Sequence, residues 1–482
     1  MKNAQIILRD TGLVLLIVGI AALAAVVPAL VYGEYSHGIW ILATSLLFFL
    51  TGGLVRLMGG REDGEPKLKH GMAIAALSWL LVSLISTVPF MQITGFDFLS
   101  AFFEAMSGWS TTGLTMVAVE ESLSHTIQFW RSYMQWMGGV GVVVLTLIVL
   151  SRPGTGSFTL YRSEAREEKI HPSVVSTVKS IWWIFLLYTG LGILLYVLAG
   201  MPLWGAVNHC MTAISTGGFS VHNASIGYYD SLAIELATIV IVVLGATSYV
   251  AHHDLLRGRI RKFLADTQFR TLLLLMVVGS VALTLFVVHD CGDLDFAVRH
   301  SVFQFISAQT TTGFQSVDLA GWDVSAKLIL SLSMVIGGAA GATTGGIKLI
   351  RGNLLFKRIV WGVRDIFLPE GGHAPRKVGG TLLTRDEAER ETSEASMMLM
   401  LWILMLLAGV FVLLNTVGGS LEDVFFEVAS AQGNVGLSTG ITSMGMDPIA
   451  KVMLIINMWT GRLEIIPILV LLRSLLSRRS IF

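Results

Sequence analysis

Charge is scarce in this chain. Only 33 basic and 33 acidic residues stand among 482, or 14%, against about 25% in soluble globular proteins. That shortage excludes an ordinary water-soluble surface. Cysteine is nearly absent as well, and Cys210 and Cys291 alone make neither a disulfide framework nor a metal knuckle. No convincing catalytic constellation is present, so the chain is not expected to be an enzyme. The formal net charge is zero, and no nucleic-acid partner is expected.

Apolar sequence fills the space. Hydrophobic residues make up 54%, and the mean hydropathy is +0.71. Apolar runs lie at 11–33, 39–55, 71–91, 127–150, 180–200, 232–251, 271–289, 326–350, 396–417 and 449–472. A helix needs about 20 residues to cross a bilayer, so about ten spans are expected. The first run is too long for the core of a signal peptide and is followed at once by another, so it reads as a retained helix. Of the 33 lysines and arginines, 28 fall at the two ends or in 56–69, 152–179, 257–270 and 348–390. The positive-inside rule places those segments and both termini in the cytoplasm. The five left over are Arg131, Arg299, Lys327, Lys451 and Arg462.

Four outer-side segments align on a single glycine: "FFEAMSGWSTTGLT" (102–115), "VNHCMTAISTGGFS" (207–220), "VFQFISAQTTTGFQ" (302–315) and "FFEVASAQGNVGLS" (425–438). Gly113, Gly218, Gly313 and Gly436 fall in register. Each is followed by Leu114, Phe219, Phe314 or Leu437, and each is preceded at six residues by Ser107, Thr212, Ser307 or Ser430. A small residue comes next after the hydroxyl: Gly108, Ala213, Ala308, Ala431. Each copy lies between two long apolar runs, so the unit reads as helix, short helix, loop, helix, entering and leaving the membrane on one side.

The expected fold is therefore an all-α polytopic membrane protein. It has four pseudo-repeated helix–pore-loop–helix units around a central pore, plus an N-terminal helical hairpin. The expected divisions are 1–60 for the hairpin, 61–155, 156–262, 263–365 and 396–482 for the units, and 366–395 for a cytoplasmic linker containing "PEGGHAPRKVGG".

Irregular backbone at membrane depth is tolerated only where protein buries it or it lines a cavity. Four such loops around one axis can present rings of carbonyl oxygens, which replace the hydration shell of an alkali cation. Glycine lets the backbone reach the angles this needs. The candidate filter is Thr111, Thr112 and Gly113; Thr216, Gly217 and Gly218; Thr311, Thr312 and Gly313; Asn434, Val435 and Gly436. In the third unit, "GGAAGATTGGIK" (337–348) carries five glycines where a helix should be continuous. Each costs about 1 kcal/mol against alanine, which argues for a broken helix, although close packing through small residues is the alternative. The run mimics a phosphate loop but lacks the Gly-Lys-Ser/Thr ending and a preceding strand.

With its four loops in register, one glycine in each, and an added N-terminal pair, the chain resembles the Trk/Ktr/HKT superfamily of potassium transporters, most of all its TrkH-type translocation subunits. The resemblance spans essentially the whole chain. It implies potassium as the ion held by the candidate filter, with glycine at 113 going with potassium preference. It also implies that the 337–348 break is an intramembrane gate, involving Gly337, Gly338, Gly341, Gly345, Gly346 and Lys348, with Arg462 as a barrier in the ion path. The alternative for Arg462 is a salt bridge to Glu464, which i to i+2 spacing disfavours. Further implications are a homodimer in the bacterial inner membrane and a cytoplasmic nucleotide-binding TrkA-type regulatory subunit. NAD or ATP/ADP would be bound by that partner, with no organic cofactor in this chain. A proton- or sodium-coupled potassium symporter is the alternative, against which stands the scarcity of carboxylates deep in the spans.

Glu104, Glu427 and Asp97 fall near the outer mouth, where they either concentrate cations or are simply solvated. His209 and His222 are expected to make local hydrogen bonds, and "HHD" (252–254) to lie at the interface without binding metal.

Overall fold

The computed structural model describes residues 2–60, 67–150, 174–369, 375–378 and 381–476. The expected boundaries at 61 and at 155/156, Arg478, Arg479 and most of "PEGGHAPRKVGG" lie outside the described residues. Six helices among those described are long and apolar enough to cross a membrane, or up to eight if each bent pair is one span. Large apolar side chains cover the periphery, with Leu198 75% and Phe411 70% exposed. Water would make such a surface unfavourable, whereas lipid matches it.

Two N-terminal helices, Lys2–Ala22 (continued by Val26–Val31) and Tyr35–Gly59, pack along each other. Each of the four units then repeats one order of elements. The first has helices Leu68–Ile85, Phe98–Trp109 and His125–Leu150, and the second has Val174–Leu198, Leu203–Ile214 and Leu232–Ala246. The third has Thr267–Cys291, Leu294–Gln309 and Val324–Ile336, and the fourth has Arg385–Thr416, Leu421–Gly433 and Pro448–Arg462. The middle helix of each unit is too short to span a bilayer. Its N-terminus is set by the local sequence. The carboxylates of Asp97 and Asp293 and the hydroxyl of Ser420 accept from first-turn amides, satisfying donors a helix start leaves orphaned.

Three of the expected spans are not continuous. The run 326–350 stops at Ile336 and resumes as a helix only at Leu349. The run 232–251 bends by 107° after Ala246 into Tyr249–Leu256, and 449–472 bends by 110° after Arg462 into Ile466–Leu476. At the last bend Glu464 and Ile465 both take positive φ, 61° and 63°, a conformation uncommon for such residues. Regular structure occurs within the expected linker. Arg376–Val378 pairs antiparallel with Thr381–Leu383, and the helix of the fourth unit already starts at Arg385. Val378 and Leu383 pack with Leu354 and Trp361 on the helix Leu349–Ile366.

Candidate functional site

The four aligned loops meet head to tail. Each short helix gives way to a residue in the left-handed region: Thr111 (φ 54°), Thr216 (51°), Thr311 (52°) and Asn434 (54°). Two residues on, Gly113, Gly218, Gly313 and Gly436 have φ of 95°, 75°, 82° and 99°. A Cβ on Gly113 would fall 2.3 Å from the Gly217 carbonyl oxygen, and one on Gly218 2.0 Å from that of Thr312. A Cβ on Gly313 would fall 1.9 Å from the Val435 oxygen, and one on Gly436 2.4 Å from that of Thr112. Each glycine thus faces the carbonyl of the next copy, and the fourth closes on the first. Side chains are excluded twice over, by the dihedral and by the neighbouring carbonyl.

The other repeated columns hold this ring. Ser107 Oγ accepts the Gly113 amide and Ser430 Oγ that of Gly436, both at 3.0 Å. Thr212 Oγ1 and Ser307 Oγ instead donate to the Phe219 and Phe314 carbonyls at 2.8 Å. Leu114, Phe219, Phe314 and Leu437 are buried and anchor the chain beyond each glycine.

A fifth column has no visible signature in the sequence. Nine residues before the glycines stand Glu104, His209, Gln304 and Glu427. Glu104 accepts from Thr115 Oγ1 (2.9 Å), the Met116 amide (2.8 Å) and Arg131 Nε (2.8 Å). Glu427 accepts from Ser438 Oγ at 2.8 Å and from both the amide and hydroxyl of Thr442. His209 Nε2 lies 2.9 Å from Ser220 Oγ. Glu104 and Glu427 are therefore neither solvated nor free to gather cations. Both are fully buried and brace the loop beyond the glycine. Asp97 is a helix cap. Arg131 spans two units, reaching Ser220 O at 3.0 Å while its guanidinium lies over the Phe219 ring. His209 has the local bonding expected of it. His222 sits 3.4 Å from Glu121, and His252 bonds Leu244 O. No His, Cys, Asp or Glu group suited to a metal occurs among the described residues.

Outside the ring, one position on the third helix of each unit reaches the short helix of the next. Trp204 Nε1 donates to Gln128 Oε1 at 2.8 Å, and Arg299 pairs with Glu235 at 2.8 Å. Lys327 pairs with Asp423 at 2.7 Å, and Lys451 Nζ donates to Ser100 Oγ at 2.9 Å. Gln128, Glu235, Lys327 and Lys451 all stand four residues after the polar residue that precedes their helix. This fourfold clasp accounts for three of the five leftover basic residues.

Beneath the ring lies the 337–348 loop, filling the break between Ile336 and Leu349. Gly337, Gly341, Gly346 and Lys348 have positive φ. Gly338 O accepts from the Leu349 amide, and Lys348 Nζ donates to Thr344 O. Thr343, not singled out in the sequence, is its hub. Its hydroxyl donates to Ile214 O (3.1 Å) and Gly245 O (3.0 Å), and Thr216 Oγ1 lies 3.2 Å away. The Gly345 amide donates to Thr311 Oγ1 at 2.9 Å, and a Cβ on Gly345 would meet Gly433 O at 2.1 Å. Arg462 is buried. It donates to Thr343 O at 2.6 Å and to Gly138 O at 3.0 Å. The alternative pairing with Glu464, which the spacing disfavours, does not occur; Glu464 holds Arg351 at 2.7 Å. Asn434 Nδ2 bridges Thr112 Oγ1 and Met458 O, each at 2.9 Å.

The TrkH family, described as cation transport protein, matches residues 37–482. An uncharacterised cation transporter of Methanocaldococcus jannaschii is 36% identical over 98% of this chain and 96% of its own length. The Trk system potassium uptake protein TrkH of Salmonella typhimurium is 32% identical, covering 92% of this chain and 94% of that protein. The crystal structure of the potassium transporter TrkH from Vibrio parahaemolyticus superposes with a TM-score of 0.85 at 29% identity, over 98% of both chains. These relatives are transporters, not enzymes. With its four re-entrant units and its full-length match, the chain belongs to the TrkH family of cation transport proteins.

Proposed function

We propose that this chain carries potassium across the cytoplasmic membrane through the ring formed by its four loops. The observation that carries this reading is the closure of the ring: four glycines of positive φ, each against the next copy's carbonyl. Such a ring is closed, rich in backbone oxygen and without room for side chains, as suits carbonyls that replace the hydration shell of an alkali cation. The potassium uptake for which the Salmonella typhimurium relative is named agrees with it.

The loop 337–348 is the gate in this reading, and Arg462 its latch. The loop is tied to Thr216 and Thr311 of the ring by single hydrogen bonds, so it can leave without dismantling the ring. The helix Leu349–Ile366 and the paired strands Arg376–Val378 and Thr381–Leu383 would take the TrkA-type regulatory subunit, with its NAD or ATP/ADP, in a homodimeric assembly. Cross-linking of the purified chain with and without that subunit tests both associations. The test of the central reading is flux of potassium and sodium into liposomes by wild type and Gly113→Ser. Serine at φ 95° must displace the Gly217 carbonyl, so discrimination should fall. Unchanged discrimination would refute the filter assignment. Reversal potentials measured across a pH gradient distinguish channel-like passage from proton coupling.

A further inference from the structure

Above the ring opens a vestibule of about 610 Å³, lined by loops from all four units and floored by Gly113, Gly218, Gly313 and Gly436. Its charged or titratable lining groups are Glu120, Arg131, His222 and Asp318. Three of them have an evident state. Arg131 is committed to Glu104, Thr115 and Ser220. His222 lies beside Glu121, and Asp318 is exposed and caps the Ala320 amide.

Glu120 is different. It is 7% exposed, and its Oε2 has no hydrogen-bond partner among the described residues. Its backbone is fixed by Gln128 Nε2, which donates to Glu120 O at 3.1 Å. A buried carboxylate oxygen without a partner is unfavourable unless a cation or a proton compensates it. Arg131 cannot serve, because Glu104 already holds it. Burial accordingly raises the Glu120 carboxyl above its ordinary value. Arg131 opposes the shift, and the nearby Glu104 and Glu121 reinforce it.

We propose that Glu120 forms an alkali-cation site in the outer vestibule, ahead of the glycine ring, at which potassium and a proton compete. The site rests on the reading of the ring as a potassium path. A single hard oxygen anion at a polar mouth raises the local concentration of cations without holding any one tightly. Protonation removes that charge, so acid outside should weaken potassium entry while leaving the ring itself intact.

The experiment is potassium flux into liposomes holding the full chain, as a function of outside potassium, from about pH 5 to about pH 8, a range above the ordinary carboxylate value. Wild type, Glu120→Gln and Glu120→Asp are compared. In wild type the half-saturating potassium concentration should fall by roughly fivefold or more as pH rises, since one unit charge a few ångströms away has that effect even at the dielectric of water. Glu120→Gln should stay at the acid-side value throughout, and Glu120→Asp should restore part of the pH dependence. A pH-independent wild type would overturn the site whatever the variants do, as would a Glu120→Gln protein that follows the wild-type curve. Absence of potassium flux from wild type at every pH would instead overturn the filter reading, so the two failures are distinguishable.

Discussion

The glycine ring and the loop beneath it are built on opposite plans. The ring is fourfold, with a left-handed entry residue and a glycine of positive φ in each unit, and a hydroxyl that ties the loop by accepting the glycine amide in the first and fourth units and by donating to the following carbonyl in the second and third. The loop exists once, in the third unit, and hangs from its neighbours by dissimilar contacts. Thr343 meets the second unit, Gly345 meets the third and fourth, and Arg462 links it to Gly138 of the first. A ring whose members each limit the next moves as a whole or not at all. A single segment, held by a different set of hydrogen bonds to each neighbour, is the kind of element that can take a second arrangement. Repetition suits ion selection, and singularity suits gating.

The largest effect should come from breaking the ring. Gly313→Ala places a methyl where Val435 O stands 1.9 Å away, at a φ that costs about 1–3 kcal/mol for a residue with a side chain. Flux should be lost, or potassium discrimination should drop by about tenfold or more, as read from competing sodium uptake. A variant with wild-type discrimination would show that the closure is incidental. Next is the latch. Arg462→Ala removes charged hydrogen bonds of about 1.5–3 kcal/mol each and should raise passive flux about tenfold with an unchanged ion ratio. Reduced flux would mean that Arg462 supports the path instead of blocking it.

The outer clasp should affect stability more than conduction. Glu235→Gln leaves Arg299 without its main partner. Because that arginine is 30% exposed, the loss should be about 2 kcal/mol, below the full cost of breaking a buried pair. A double-mutant cycle with Arg299→Gln, read by thermal melting in detergent, measures the coupling. Additive effects would show that the clasp contributes nothing as a pair. The smallest effect concerns Glu34, which links the N-terminal helices to the first unit by accepting from the His125 and Thr126 amides at 2.9 and 2.8 Å. Burial alone would raise its carboxyl, but the bonds from Thr126 and His125 outweigh it and hold the value down to about 2. A depressed carboxyl stabilises the fold fully above its ordinary value of about 4.5 and loses that contribution as pH falls toward about 2. Glu34→Gln should cost about 1 kcal/mol near neutrality, as loss of a helix cap does, and should flatten the acid limb of melting temperature against pH. A limb identical to wild type would exclude this cap as its origin.

Much of the ring was legible because its columns repeat the same chemistry: glycine, a large apolar residue, a hydroxyl and a small residue at fixed spacing. The break at 337–348 was legible because five glycines cannot sustain a helix cheaply, and its observed limits are Ile336 and Leu349. The brace column was hidden because Glu104, His209, Gln304 and Glu427 share a position and not a side-chain type. The clasp column was hidden for the same reason, with Gln128, Glu235, Lys327 and Lys451 doing one task through different partners. Reading Glu104 and Glu427 as mouth acids failed because sequence does not distinguish a solvated carboxylate from one enclosed by hydroxyls and amides. The bend after Ala246 carries no proline and no run of glycines, and the one after Arg462 is marked only by Pro467, the second residue of the helix that follows. Tertiary contacts hold them: Glu464 pairs with Arg351, 113 residues away, and the Tyr249 amide donates to Gly341 O.

The most direct test of the division between ring and loop is the reversal potential under opposed potassium and sodium gradients, in wild type and in a chain shortened within 338–346. Larger currents at an unchanged reversal potential are predicted, since the shortened loop leaves all four glycines against their carbonyls. A shifted reversal potential would contradict the account, because selection would then depend on the loop.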